Sequence, residues 1–228
     1  TPVPSTTLVG AGTRKARRRN QIGQLALSGR PLAKLSESEL HQAMLTGIRE
    51  KGISVLNWTS EAQQLRLRLQ CAARWLPEEP WPAVDDATLL DELESWLLPH
   101  MTGVHSLRGL KSVDIYQALR DRLPWSLQQR LESSLPTHYT VPTGSRIAIR
   151  YDEDNPPALA VRMQEMFGEA STPTIAQGRV ALVLELLSPA QRPLQITRDL
   201  SAFWQGAYRE VQKEMKGRYP KHVWPDDP

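Results

Sequence analysis

A single cysteine, Cys71, stands in a chain of 228 residues. One thiol excludes a disulfide framework and a multi-cysteine zinc site, and it fits a reducing compartment. No apolar run approaches the roughly 20 residues of a membrane-spanning helix, so neither an integral membrane protein nor a membrane partner is expected. The chain has no initiator methionine and no charged start followed by an apolar stretch, so Thr1 reads as the start of an excised or processed piece. Phosphate-binding loops of the G-x-x-x-x-G-K-[ST] kind are missing, for Gly10-Ala11-Gly12 has no lysine after it. No D-E-x-H or D-E-A-D tetrapeptide is present to hold magnesium, and the segment is expected to hydrolyse no nucleotide on its own. H-E-x-x-H and G-x-S-x-G are also absent. The sequence therefore offers no catalytic residue, no metal-ligand set and no cofactor site of its own.

Hydrophobic residues at 40% and charged residues at 23% are ordinary for a globular chain, and the length suffices for a sizeable core. A soluble, cytoplasmic, mainly helical protein is expected. The net charge of +3 is unevenly spread. Residues 1–35 carry seven basic and no acidic side chains, residues 36–191 carry 14 basic and 20 acidic, and residues 192–228 carry seven basic and five acidic. The run Arg14, Lys15, Arg17, Arg18 and Arg19 can neutralise several phosphates, each contact releasing counterions. The alternative is a solvated basic strand edge or linker.

Along the chain, three regions are expected. Residues 1–35 read as a linker followed by a basic, strand-like segment, with Ile22, Leu25 and Leu27 before the turn at Ser28-Gly29-Arg30-Pro31. Residues 36–136 read as a helical domain. Ser36 and Glu39 form a capping-box pattern, and Gly52 supplies a left-handed stop. Further helices are expected from about Ser60, over Ala87 to Leu98, from about Ser112, and from Pro124, with Trp125, Leu127 and Leu131 facing inward. Prolines at 77, 99, 124 and 136 mark their boundaries. Residues 137–228 read as a small β-rich domain with a C-terminal helix and tail. Period-two alternation around Ile147 and Ile149, and again at Leu159, Val161 and Met163, gives short strands. The run 180–187 reads as one buried strand and Leu194 to Thr197 as another. The fold class is thus α+β: a helical array, then a small antiparallel β-barrel-like unit, OB-like among its options, then one helix ending at Gly217.

Five groups invite a chemical reading. His100 and His105 lack further ligands at zinc spacing, which favours loop or capping roles. The acidic pairs Glu78-Glu79, Asp85-Asp86 and Asp226-Asp227, and the triplet at 152–154, flank turns and helix starts, where local uses suffice. Cys71 lies on an apolar helix stripe and reads as a small buried hydrophobe. Most of the seven tryptophans read as packing. The tail differs, because Lys213, Lys216, Arg218 and Lys221 interleave with Tyr219 and Trp224, a composition suited to stacking bases while binding phosphates. The competing reading, which the residues favour, is that Tyr219 and Trp224 pin the tail onto the domain.

The stretch 192–204, the segments Lys216–His222 and Trp224–Pro228, and Thr137–Ser145 together resemble the end of the bacterial HrpB family of DExH-box ATP-dependent RNA helicases. Arg17-Arg18-Arg19 through Leu32, and Pro99 through Leu107, resemble that family's middle region. The resemblance spans about residues 14–228. It implies a larger parent whose two motor domains, with their ATP and magnesium, precede this segment. It carries no catalytic residue onto any position here. What it implies for the segment is an accessory region that binds or guides RNA, single-stranded and without sequence preference, for the motor. Arg14, Lys15, Arg17 to Arg19 would be one phosphate grip, and Lys213, Lys216, Arg218, Tyr219, Lys221 and Trp224 a second. A platform that docks a partner protein is the alternative.

Overall fold

The computed structural model of the chain describes residues 35–228. The expected linker at 1–13, the basic run at 14–19 and the strand-like stretch at 21–27 lie outside those residues. Helices and strands are mixed, with eight α-helices and seven strands among the described residues. Two compact units divide them, one of 35–70 and Pro82–Pro124, the other of Cys71–Trp81 and Trp125–Pro228.

In the first unit, α1 (Glu37–Lys51) opens on the expected capping box. The Glu39 backbone N–H donates to Ser36 Oγ, and the Ser36 N–H donates to Glu39 Oε1, both at 3.1 Å. Gly52 ends the helix at φ +96°, its N–H donating to the Ile48 carbonyl at 2.7 Å. Met44, Leu45 and Ile48 on α1 are buried, as are Ala62, Leu65 and Leu69 on α2 (Ser60–Trp75). The helix expected over 87–98 is instead two, α3 (Asp86–Asp91) and α4 (Leu93–Trp96), broken at Glu92. Trp96 is fully packed there, and its indole N–H donates to the Leu89 carbonyl at 2.8 Å. The helix expected from Ser112 starts later, as α5 (Ile115–Arg120), because the Asp114 carboxylate takes the Gln117 N–H at 3.0 Å and fixes the cap there.

The second unit begins with the last turn of α2, where Cys71 is buried as expected, and burial pushes its thiol pKa up. In α6 (Trp125–Ser134), Leu127 and Leu131 turn inward, but Trp125 is 70% exposed, against expectation. Leu127 and Leu131 share a stripe at i and i+4, and a residue two positions before that stripe lies about 200° round the helix. The strands follow as β1 (His138–Thr140), β2 (Arg146–Arg150), β3 (Ala158–Arg162), β4 (Thr174–Ile175), β5 (Val180–Ala181), β6 (Val183–Leu187) and β7 (Pro193–Thr197). Five form one sheet in the order β1-β2-β3-β6-β7, and β4 pairs with β5 alone. Ile149, Leu159, Val161, Leu184 and Leu186 are buried on its inner face.

This sheet corrects the antiparallel barrel expected from the sequence. It is open, with β1 and β7 as its two edges among the described residues, and its central pair is parallel, running from Ala158 opposite Val183 to Arg162 opposite Leu187. The cause is the crossover between β3 and β6. The run 180–187 breaks at buried Leu182, whose N–H donates to the Pro173 carbonyl at 2.9 Å. The chain returns beside β3 in the same direction, so the sheet is not an antiparallel meander.

The β4–β5 turn holds three successive positive-φ residues, Ala176 (53°), Gln177 (57°) and Gly178 (85°). Side chains at the first two are strained there, so other contacts must hold the turn. Ala176 N–H donates to the Ser134 carbonyl at 2.7 Å, and Arg179 donates to the Trp75 carbonyl and, through both terminal nitrogens, to the Glu78 carboxylate at 3.0 and 2.8 Å. That guanidinium holds the Glu78 carboxyl below its ordinary value of 4.5. Arg49 does the same for Glu94, and hydrogen bonds to Thr88 lower Asp85. Each of these groups is more acidic folded than unfolded. Their stabilisation is complete above the unfolded pKa and is lost as pH falls through the folded one. The urea midpoint is therefore expected to be flat from pH 7 down to about 5 and to fall below about 4.5. Glu78→Gln should lower the midpoint at pH 7 and make the remaining acid decline shallower, which urea titrations at several pH values would check.

Candidate nucleic-acid interface

The C-terminal helix expected as one piece is two, α7 (Leu200–Gln205) and α8 (Tyr208–Arg218), separated at Gly206 with φ −123° and ψ −95°. The break turns two aromatic faces onto one another. Trp204 and Tyr208 stand at 5.3 Å between ring centres, Phe167 lies 5.8 Å from Trp204, and Phe167 meets Trp224 edge-on at 6.3 Å. The helix also runs past Gly217, which is not among the positive-φ glycines. It stops at Tyr219, whose N–H donates to the Met215 carbonyl at 2.7 Å, and Pro220 follows.

One buried amide secures the tail. Gln212 Nε2 donates to the carbonyls of Trp224 (3.0 Å) and Pro225 (3.1 Å) and to the Asp226 carboxylate (2.7 Å). The Tyr208 hydroxyl also donates to the Pro225 carbonyl. Burial, with the Asp226 charge nearby, pushes the Tyr208 pKa up to about 12, so the phenol stays a donor. Asp226 is held below the usual aspartate value of 3.8, first by Gln212 and then by Lys216. Trp224 is 5% exposed, and its indole N–H donates to the Tyr219 carbonyl at 2.9 Å. The structure thus places the Trp224 ring inside the unit.

The other tail residues proposed from sequence lie on the surface around this knot. Lys213, Lys216, Arg218 and Lys221 are exposed and Tyr219 is half-buried. Lys216 approaches Asp226 at 3.8 Å, and Arg218 pairs with Glu214 at 3.3 Å. Lys213 and Lys221 have no ion pair among the described residues. The Arg218 guanidinium lies 6.0 Å from the Tyr219 ring, and His222 packs on that ring edge-on, also at 6.0 Å. Arg209, at four and seven positions before Lys213 and Lys216, extends the cationic row along α8; its spacing puts it on the face opposite the apolar stripe, though it is not among the candidate contacts read from the sequence. The run Arg14, Lys15, Arg17, Arg18 and Arg19 lies outside the described residues.

A second group of cations sits on the sheet. Arg146, Arg150 and Arg162 are exposed on β2 and β3. Arg150 is paired with Glu185 across the sheet and Arg162 with Glu165 at 3.5 Å, whereas Arg146 has no ion pair among the described residues. The sequence marked Arg146 and Arg150 only by their alternation.

The remaining groups have local partners. His100 pairs with Asp121 at 3.2 Å, His105 with Glu37 at 3.4 Å, and Glu79 with Arg130 at 3.0 Å. Asp152 accepts from the backbone of Asp154 and Asn155. No group of three or more His, Cys, Asp or Glu side chains able to hold a metal ion occurs among the described residues. Together with the missing phosphate-binding loop, this donor set does not fit a magnesium–nucleotide site. Among the described residues no helix is long and apolar enough to cross a membrane.

The described residues thus bring together an open mixed sheet, an aromatic knot at the tail and a row of exposed cations on α8. Residues 96–228 match the family described as ATP-dependent helicase C-terminal, and the chain belongs to that family, the C-terminal region of HrpB. It is 82% identical over 217 residues to the ATP-dependent RNA helicase HrpB of Escherichia coli strain K12, a match covering 95% of this chain and 27% of that protein. A crystal structure of the E. coli DExH-box NTPase HrpB superposes with a TM-score of 0.86 at 83% identity, over 91% of this chain and 26% of that one. A second, of the E. coli DEAH/RHA helicase HrpB, gives 0.77 at 81% identity, over 90% and 26%. The chain spans about a quarter of the length of these relatives.

Proposed function

We propose that this chain is the C-terminal accessory region of a cytoplasmic ATP-dependent RNA helicase and that it grips single-stranded RNA for motor domains that bind the ATP and magnesium. The observation that carries the RNA role is the α8 surface. Lys213 and Lys221 stand exposed with no ion pair among the described residues, and the half-buried Tyr219 ring lies 6.0 Å from the Arg218 guanidinium, with His222 edge-on to it. Cations neutralise phosphates, and an aromatic face accepts any base, so the grip is indifferent to sequence. Trp224 serves the surface from beneath by holding the Tyr219 carbonyl. Family membership and the E. coli relative's name support the same reading. Arg14, Lys15 and Arg17 to Arg19 form the second grip, on the strength of their charge.

The test is fluorescence anisotropy of a labelled single-stranded RNA over a salt series. The quadruple variant Lys213→Gln, Lys216→Gln, Arg218→Gln, Lys221→Gln is expected to bind at least about 10-fold more weakly. The slope of log K against log salt should flatten by up to about 3, at roughly 0.7 for each phosphate no longer neutralised. Replacing the five basic residues of 14–19 by Gln should flatten it further. An unchanged affinity and slope in both variants would overturn the RNA grip.

A further inference from the structure

The edge strand β7 carries features that the RNA grip does not use. It pairs with β6 on one side only, and Leu194 to Thr197 make no other backbone hydrogen bond among the described residues. Its sequence, Pro193-Leu194-Gln195-Ile196-Thr197, contains no charge. Ile196 sits opposite Glu185 and is 65% exposed, one of only three large hydrophobic side chains so exposed among the described residues. An uncharged edge with an exposed β-branched residue is a template for strand addition, which proteins usually block with an inward charge or a covering segment. Among the described residues the devices of that kind are the proline at the first position and a bulge in the β6 pairing at Leu186/Leu187.

The ends of the strand say what fits. Arg192 and Arg198 flank it, both exposed, and neither has an ion pair among the described residues. The five residues of the strand separate them, a span of about 20 Å. A second copy of this chain is a poor occupant. Antiparallel pairing of two β7 strands sets Arg192 against Arg198, and parallel pairing sets each arginine against itself, so cations meet in either case. Nucleic acid would satisfy the arginines but not the alternating N–H and C=O groups between them, and β7 has no aromatic ring for a base.

We propose that β7 is a docking edge for an extended segment of a partner protein, seven or so residues long, with an apolar centre beside Ile196 and acidic side chains at both ends. Backbone hydrogen bonds supply the attachment, and the two arginines select the partner by charge. This goes beyond the RNA grip and uses none of its residues.

The experiment is selection of a displayed library of random heptapeptides on the intact chain. The expected result is enrichment of sequences with β-branched or aromatic centres and Asp or Glu at both ends. A fluorescent copy of the selected peptide should bind at micromolar concentration and slow amide exchange at Leu194 to Thr197. Binding should fall at least 10-fold in Ile196→Lys and in Arg192→Glu/Arg198→Glu, whose side chains are exposed and whose thermal midpoints should stay near the parent's. The quadruple α8 variant should bind the peptide normally, which separates failure here from failure of the RNA grip. No enrichment, enrichment without acidic ends, binding indifferent to Arg192 and Arg198, or protection of the β7 amides by single-stranded RNA instead would each overturn the proposal.

Discussion

Replacing Trp224 by alanine is expected to cost about 3–5 kcal/mol of stability, the range for emptying a large buried aromatic site. Two losses combine. The ring is 5% exposed and meets Phe167 edge-on, so its removal leaves a cavity beside the knot formed with Trp204 and Tyr208. The indole N–H also disappears, leaving the Tyr219 carbonyl without its donor. Urea unfolding followed by circular dichroism would measure the change. Trp224→Phe should recover roughly half of it, because a smaller ring still fills part of the site but donates nothing. A loss under about 1 kcal/mol would mean that Gln212 and Tyr208 hold the tail alone. Gln212→Ala in the Trp224→Ala background would then show the full effect.

Trp96→Ala should have an effect of the same size in the first unit, about 3–5 kcal/mol. Trp96 is 2% exposed and its N–H fixes the Leu89 carbonyl where α3 gives way to α4. The contrast is Trp125, which is 70% exposed. Trp125→Ala should change stability by no more than about 0.5 kcal/mol, the usual range at an exposed site. If Trp125→Ala proved as costly as Trp96→Ala, the exposed position given to Trp125 would be wrong.

The difference between these tryptophans shows what the sequence could reveal. Local signals were legible wherever the chemistry is short-range. Ser36 and Glu39 set the start of α1, Gly52 sets its stop, and prolines bound α2 and α6. Burial of Cys71 followed from its stripe. The break at Glu92 was not legible, because the helical pattern of leucines continues through it, and at Gly206 the glycine was a signal outweighed by the aromatic stripe that runs on past it. Sheet direction was hidden for a related reason. Alternation locates a strand such as Ala158–Arg162, but nothing in Leu159 or Val161 says whether its neighbour runs with it or against it. The surface was read in the same partial way. Clustered cations at 213–221 stood out in composition, whereas Arg146, Arg192 and Arg198 gained interest only once the strands placed them on an open face or beside an open edge.

The parallel pairing of β3 with β6 has a kinetic consequence. The β1–β2–β3 meander and the β6–β7 hairpin each consist of neighbours in sequence, so each can form from local contacts. Their joining line cannot, since pairing Ala158 with Val183 closes the loop formed by the whole intervening crossover. The middle of the sheet is thus expected to close late, although its side chains are among the best buried. Weakening Leu159 or Leu184 should speed unfolding more than it slows folding, so the deepest part of this sheet governs how long it persists rather than how quickly it appears.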